Sequence, residues 1–300
     1  MKKKTYLFAL MAMVLTLGSC SDNENGIGGE TSKYITVSTS IGNMTRVATD
    51  AKGGQTFEEG DEISVYAWTG DATIAPDASE RVVNNAINKL TNGSWVSTPQ
   101  MLWKNNREKH YFIGVYPTAA ISDLSAGEYT FDVNKQTESD LLVAVNPDGL
   151  SYSADAQQIV PLTFTHVMAK LAVNLTYKNQ WGGIPTVEKV VVGNAAKEAT
   201  INYLTKVVTP STTAKEDFSL PEITENTKYV SVIIPQEDVK QLTIVIGGKN
   251  FVYDNGTPFK LESGKITTVN LEVGRDEIKL GDVKITNWED GSTFSGEALN

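Results

Sequence analysis

The sequence runs to 300 residues, with 36 acidic and 26 basic side chains and a formal net charge of −10 at pH 7. A chain this acidic repels phosphates instead of displacing their counterions, so nucleic acid is excluded as a partner. Its one cysteine excludes an internal disulfide, and its length suffices for one large domain or two of ordinary size.

The chain opens with Lys2, Lys3 and Lys4, then an uncharged, mostly apolar run over residues 6–17, then Gly18-Ser19-Cys20. A basic start, a short apolar core and small residues before a processing point predict a secretory signal over residues 1–19. The run falls short of the ~20 residues that a spanning helix needs. Leu17-Gly18-Ser19-Cys20 resembles a bacterial lipobox, in which the thiol is acylated, typically with palmitate, and becomes the first residue of the mature lipoprotein. The other reading is an ordinary signal peptide with a chance cysteine. Removing residues 1–19 takes three lysines and no acid, which moves the net charge from −10 to −13. Anionic lipid then gains no electrostatic attraction, and membrane attachment would rest on the acyl chains at Cys20. Residues 20–32 are polar, acidic and glycine-rich and read as a flexible tether.

From residue 34 the period becomes two. Residues 34–41 (YITVSTSI) are β-branched and alternate, so one face can be buried. The pattern returns at residues 63–68, 110–117, 127–133 and 140–145, and in the second half at 161–164, 169–177 and 187–192. Further strands are predicted at 229–235, 242–246, 251–253, 267–273 and 283–288. Asn92-Gly93, Asp148-Gly149, Asn255-Gly256 and Asp290-Gly291 supply turns that need positive φ. A single helix is predicted at residues 79–90, where Val82, Val83, Ala86, Ile87 and Leu90 follow a serine cap. Many short strands set apart by turns predict an all-β fold with little helix. They exceed one small sandwich, so two tandem β-sandwich domains are expected, over residues 33–158 and 159–300, divided by the polar stretch 151–158.

Chemistry has little signature here. His110 and His166 belong to no metal-binding or nucleophile-activating pattern, and each reads as a histidine hydrogen-bonded inside packed β structure. Phosphate-binding glycine loops and nucleophile elbows are missing from the sequence, so no catalytic residue, metal or cofactor is expected. A glycosidase would need paired carboxylates in a cleft lined by aromatics. Trp68, Trp95, Trp103, Trp181 and Trp288 could stack on sugars, though in a sandwich they pack more often in the core.

Several segments, in order, resemble the fimbrillin family. Phe57-Glu58-Glu59-Gly60-Asp61-Glu62-Ile63-Ser64-Val65-Tyr66 is similar to its F..GD.I.VYA opening. Trp103 followed by Tyr111-Phe112-Ile113-Gly114-Val115-Tyr116-Pro117 resembles its W…FxAYYP segment, and Asp140-Leu141-Leu142-Val143-Ala144 its DLL.A strand. Leu162-Thr163-Phe164-Thr165-His166-Val167-Met168-Ala169-Lys170-Leu171 is similar to L.F.H.MAKL, the most specific of the set. Ile233-Ile234-Pro235-Gln236 and Ile285-Thr286-Asn287-Trp288 also fit.

The resemblance implies transthyretin-like Greek-key sandwiches and a surface-exposed outer-membrane lipoprotein precursor. It further implies a subunit of type V pili, in which an arginine-specific protease removes the lipid and the first strand. Strand addition from another pilus subunit then fills the opened groove. On this scheme Arg46, just after the strand at 34–41, is the candidate cut, leaving Val47 as the new terminus; alternatively Thr45-Arg46 merely closes a strand. Ile278, Leu280, Val283 and Ile285 form a candidate donor strand with a slip at Gly281-Asp282, or else the protein's own last strand. The partners implied are other pilus subunits, the outer membrane through the lipid, and host or bacterial surface ligands. The alternative function is a non-polymerising surface lipoprotein that binds glycans or host ligands, marked by two or three exposed tryptophans on one face.

Overall fold

The computed structural model describes residues 33–42, 56–153, 158–254 and 256–288. In chain order the strands of the first half are β1 (Thr36–Ile41), β2 (Glu62–Thr69), β3 (Val83–Thr91), β4 (Ser94–Thr98), β5 (His110–Tyr116), β6 (Gly127–Thr130), β7 (Leu142–Leu150) and β8 (Ile159–His166). There follow β9 (Ala169–Tyr177), β10 (Val187–Ala196), β11 (Glu198–Asn202), β12 (Val207–Pro210), β13 (Lys215–Ser219) and β14 (Glu222–Thr224). The last are β15 (Lys228–Ile233), β16 (Gln241–Ile246), β17 (Lys249–Asp254), β18 (Lys265–Val273) and β19 (Ile278–Asn287). The helical content among the described residues is one 3-10 turn, Asn179–Trp181. The architecture is all-β, as the period of two implied.

A seven-stranded sheet runs in the order β1-β8-β7-β5-β2-β3-β4. Its outer strands approach each other: Tyr34 bridges to Leu102, and Trp95 Nε1 on β4 donates to Thr39 Oγ1 on β1 at 3.0 Å. Inside this curl lie Ile35, Val37, Ile63, Val65, Ala67, Phe112, Leu142, Ala144, Val160, Leu162 and Phe164. The other face of the same strands carries Tyr66, Trp68, Ile113, Val115 and Val143, which belong to a second core. Burial on both faces explains why residues 63–68 and 112–115 read as nearly continuous apolar runs.

The second core joins that face to a four-stranded sheet, β13-β10-β16-β17, and a five-stranded sheet, β14-β15-β9-β18-β19. A three-stranded sheet, β12-β11-β6, mixes strands of both halves, since β6 pairs with β11. The strand at 159–166, on the C-terminal side of the expected division, hydrogen-bonds in the first sheet with β1 and β7.

Two local expectations are corrected. Residues 79–90 hold no helix; most of the segment is β3, where Val65 pairs with Ala86 but Ala67 with Val83. That bulge, with Asn85 at φ 56°, puts residues three apart on one face and so imitates a helical spacing. Asp148-Gly149 is not a hairpin turn but a bulge within β7, opposite His110 and Phe112. There Gly149 has φ 64° and a Cβ would sit 2.8 Å from the Tyr111 ring. Asn92-Gly93 does make the two-residue β3–β4 hairpin, with positive φ at both positions.

Candidate strand-exchange site

β1 lies at the sheet edge and pairs parallel with β8, from Thr36 opposite Ile159 to Ile41 opposite Phe164. Alternation sends Ile35 and Val37, 2% and 7% exposed, into the core. Burying an aliphatic side chain is worth roughly 1.5–3 kcal/mol, so this pair supplies most of the apolar hold on the strand. Hydrogen bonds to the 101–103 segment clamp its start: the Ile35 N–H donates to Met101 O at 2.9 Å, and the Trp103 N–H to Lys33 O at 3.2 Å. Beyond Val37 the second edge of β1 faces an open cleft of about 610 Å³ lined by Phe57, Leu90, Trp95 and Ile159. Phe57 closes its end edge-on to Trp95, Tyr116 and Phe164, with centroids 5.1–5.4 Å away. Gly60 and Asp61 set Phe57 there: Gly60 turns at φ 98°, and Asp61 Oδ2 accepts the Glu58 N–H at 2.7 Å. Cys20, Arg46 and Val47 lie outside the described residues.

At the other end of the chain β19 is an edge strand, antiparallel to β18. Ile278, Leu280, Val283 and Ile285 oppose Val273, Leu271, Val269 and Thr267, so all four share the inward face. Their spacing keeps that face because the register shifts at Gly281, as the slip in the sequence suggests. Yet Leu280, Val283 and Ile285 remain 37%, 38% and 41% exposed, so this row gains little from burial.

Trp288, the residue after β19, is 7% exposed. Its indole stacks on the His166 ring at 4.0 Å and 6°, and Lys170 Nζ stands 4.2 Å from its centroid. Both groups therefore lie against the indole ring. His166 Nδ1 is 2.7 Å from Asp140 Oδ1, which fixes the imidazole plane. Burial pushes the Lys170 ammonium down from its ordinary pKa, and Asp140 partly opposes that. The Trp288 backbone N–H donates to Gly264 O at 3.0 Å, while its buried indole N–H has no hydrogen-bond partner.

Residues 45–288 match the fimbrillin-like family model. The chain belongs to the fimbrillin-like family. It is 25% identical to a Bacteroides uniformis protein named as a fimbrium subunit, over 97% of each chain. The fold resembles a Bacteroides ovatus protein described as a cell adhesion protein, with TM-score 0.61 and 18% identity over 85% of this chain and 98% of that one. It also resembles a second such protein, from Bacteroides uniformis, with TM-score 0.59 and 19% identity over 86% and 100%. Membership places this fimbrillin-like chain among fimbrial proteins of the cell surface and outside the enzymes.

The family segments now have a spatial meaning. Asp140, His166, Lys170 and Trp288 come from three of them and meet in one cluster. Sequence reasoning passed over this cluster, taking His166 and Trp288 singly as packing residues; their membership of family segments was the available signal. His110 is likewise a buried, hydrogen-bonded histidine: it lies edge-on to Trp103 and accepts the Lys104 N–H at Nε2 at 3.0 Å.

Among the described arginines, Arg81 is buried and its guanidinium donates to Pro76 O, Ile121 O and Ser122 O, whereas Arg107 and Arg275 are exposed. Trp68, Trp103 and Trp288 are buried, and Trp95 on β4 and Trp181 in the 3-10 turn are half-buried against Phe57 and Phe251 respectively. This fimbrillin-like chain therefore presents no tryptophan platform of the kind a sugar-binding face would need. No carboxylate is among the fully buried side chains of the described residues.

Proposed function

We propose that this protein is a pilus subunit or adhesin that assembles by exchanging β1 for a strand of another subunit. The precursor is held at the outer membrane by acylated Cys20, and an arginine-specific cut between Arg46 and Val47 separates β1 from the rest of the chain. β1 then leaves β8, and a strand from a neighbouring subunit takes its place through main-chain hydrogen bonds, with Ile35 and Val37 pockets setting register. β19, with Ile278, Leu280, Val283 and Ile285 on one face, is the donor. The observation that carries the reading is the seat of β1: one ladder, two deeply buried side chains and an open cleft along its free edge.

The test treats the purified chain with an arginine-specific protease and follows N-terminal sequence and mass. A new terminus at Val47 together with multimers, both missing in Arg46→Gln, is the expected result. Exposed Arg107 and Arg275 are the competing cuts, which the variant controls. Chains trimmed at Arg46 that stay monomeric, with residues 33–42 still protected, would sink the proposal.

A further inference from the structure

Along its length β19 is held by its main-chain ladder to β18, and its side-chain burial is concentrated at its end. Its inward side chains are more than a third exposed at three positions, and no strand hydrogen-bonds to its outer edge among the described residues. Trp288, in contrast, is buried, with the His166 ring stacked on its indole and the Lys170 ammonium over it. Parallel stacking at 4.0 Å and a cation over the indole both need the ring in one position. Asp140 holds His166 in the matching orientation.

The partners of Trp288 also sit where β1 ends. Ile41, the last residue of β1, shares a cavity of about 740 Å³ with Phe57, Asp140, His166 and Lys170. His166 is itself the last residue of β8, the strand that β1 pairs with. A strand that replaced β1 along β8 would therefore finish against the groups that hold Trp288.

We propose that His166 and Lys170 form a socket for Trp288 and that this contact decides whether β19 is kept or released. Trp288 acts as a latch: while it is seated, β19 stays in its own sheet, and its withdrawal frees the strand for donation. The release role rests on the strand-exchange reading above; the anchoring itself does not. The socket adds a buried side-chain anchor to an edge strand whose apolar row is more than a third exposed.

Hydrogen exchange on the full chain tests the anchoring without any assembly step. In Trp288→Ala, amides of residues 278–287 should exchange about tenfold faster or more, while those of 169–177 and 228–233 keep their protection. Trp288→Phe, which retains the stacking but loses part of the cation contact, should fall between. Equal acceleration of all three segments would mean that Trp288 is an ordinary core residue, and that outcome overturns the latch, as does no change in 278–287. After trimming at Arg46, Trp288→Ala should form multimers faster than the parent at equal concentration. If 278–287 is loosened but trimmed chains stay monomeric, the latch stands and the exchange reading fails. If the trimmed parent assembles and Trp288→Ala changes neither exchange nor rate, the latch fails alone.

Discussion

His110 shows what a single buried side chain does to the pH response of this protein. Its Nε2 accepts from the Lys104 backbone, which leaves the proton on Nδ1, a buried atom without an acceptor. Burial holds the imidazole below its ordinary pKa; Glu108 opposes this and Lys104 adds to it. The folded state therefore keeps His110 neutral, while the unfolded chain takes up a proton as pH falls through ~6.5. The stability contribution is complete above that pH and is lost as pH falls toward the lower folded value. Urea unfolding at pH 7.5 and 5.5 should show the parent weakened at 5.5, with a smaller drop in His110→Gln. Asp123 and Glu108, whose carboxyls are held low by hydrogen bonds to Ser125 and Asn105, lose their contribution only at more acid pH. Residue roles were partly legible in the sequence. Phe57, Gly60 and Asp61 stand in one short segment, and their turn could be read there. The Asp140–His166–Trp288 contact could not, because 26 and 122 residues separate its members and no local rule links them.

At the scale of elements, β1 is held mainly by Ile35 and Val37, so weakening them should detach it before the sheet melts. Ile35→Ala with Val37→Ala is expected to cost ~3–6 kcal/mol of local hold, from roughly 2–5 for isoleucine and less for valine. Hydrogen exchange would register this as lost protection at β8 amides facing β1, with β9 unchanged; equal loss in both would show that β1 is not a separable unit. Strands buried on one or both faces were legible because period two or a short apolar run marks them. β3 was not, since its bulge at Asn85 breaks the period. β4, β11, β12, β13 and β14 were missed too: Ser94–Thr98 buries no side chain fully, and Glu198–Asn202 and Lys215–Ser219 bury only one or two each and carry charge on the exposed face. In β19 the slip at Gly281 could be foreseen, because alternation changes phase there without losing its apolar members.

At the scale of the whole molecule, the decisive fact is that β2, β5 and β7 bury both faces. Tyr66, Trp68, Ile113, Val115 and Val143 complete the core of the C-terminal sheets, and β6 lends its edge to β11. The sequence points to two sandwiches because composition and turns change near residues 151–158, but no sequence pattern states which face of a continuous apolar strand meets which sheet. We propose that the two halves, passing into each other at Val167-Met168, fold as one unit. An N-terminal piece ending at residue 168 would expose that whole face to water, five large side chains at roughly 1.5–3 kcal/mol for each that was fully buried. Stabilities of ~5–15 kcal/mol for whole domains leave little to absorb such a loss. Denaturant unfolding of residues 21–300, followed by tryptophan fluorescence and far-UV circular dichroism, should therefore give one coincident transition. Trp95 and Trp103, at the core inside the first sheet, report on that sheet, and Trp181 and Trp288 on the C-terminal sheets, so two independent units would separate the signals. Residues 33–168 alone should fail to reach a folded monomer. A well-folded fragment would show that the shared face is an interface between autonomous domains, and would allow strand exchange at β8 without any response in β19.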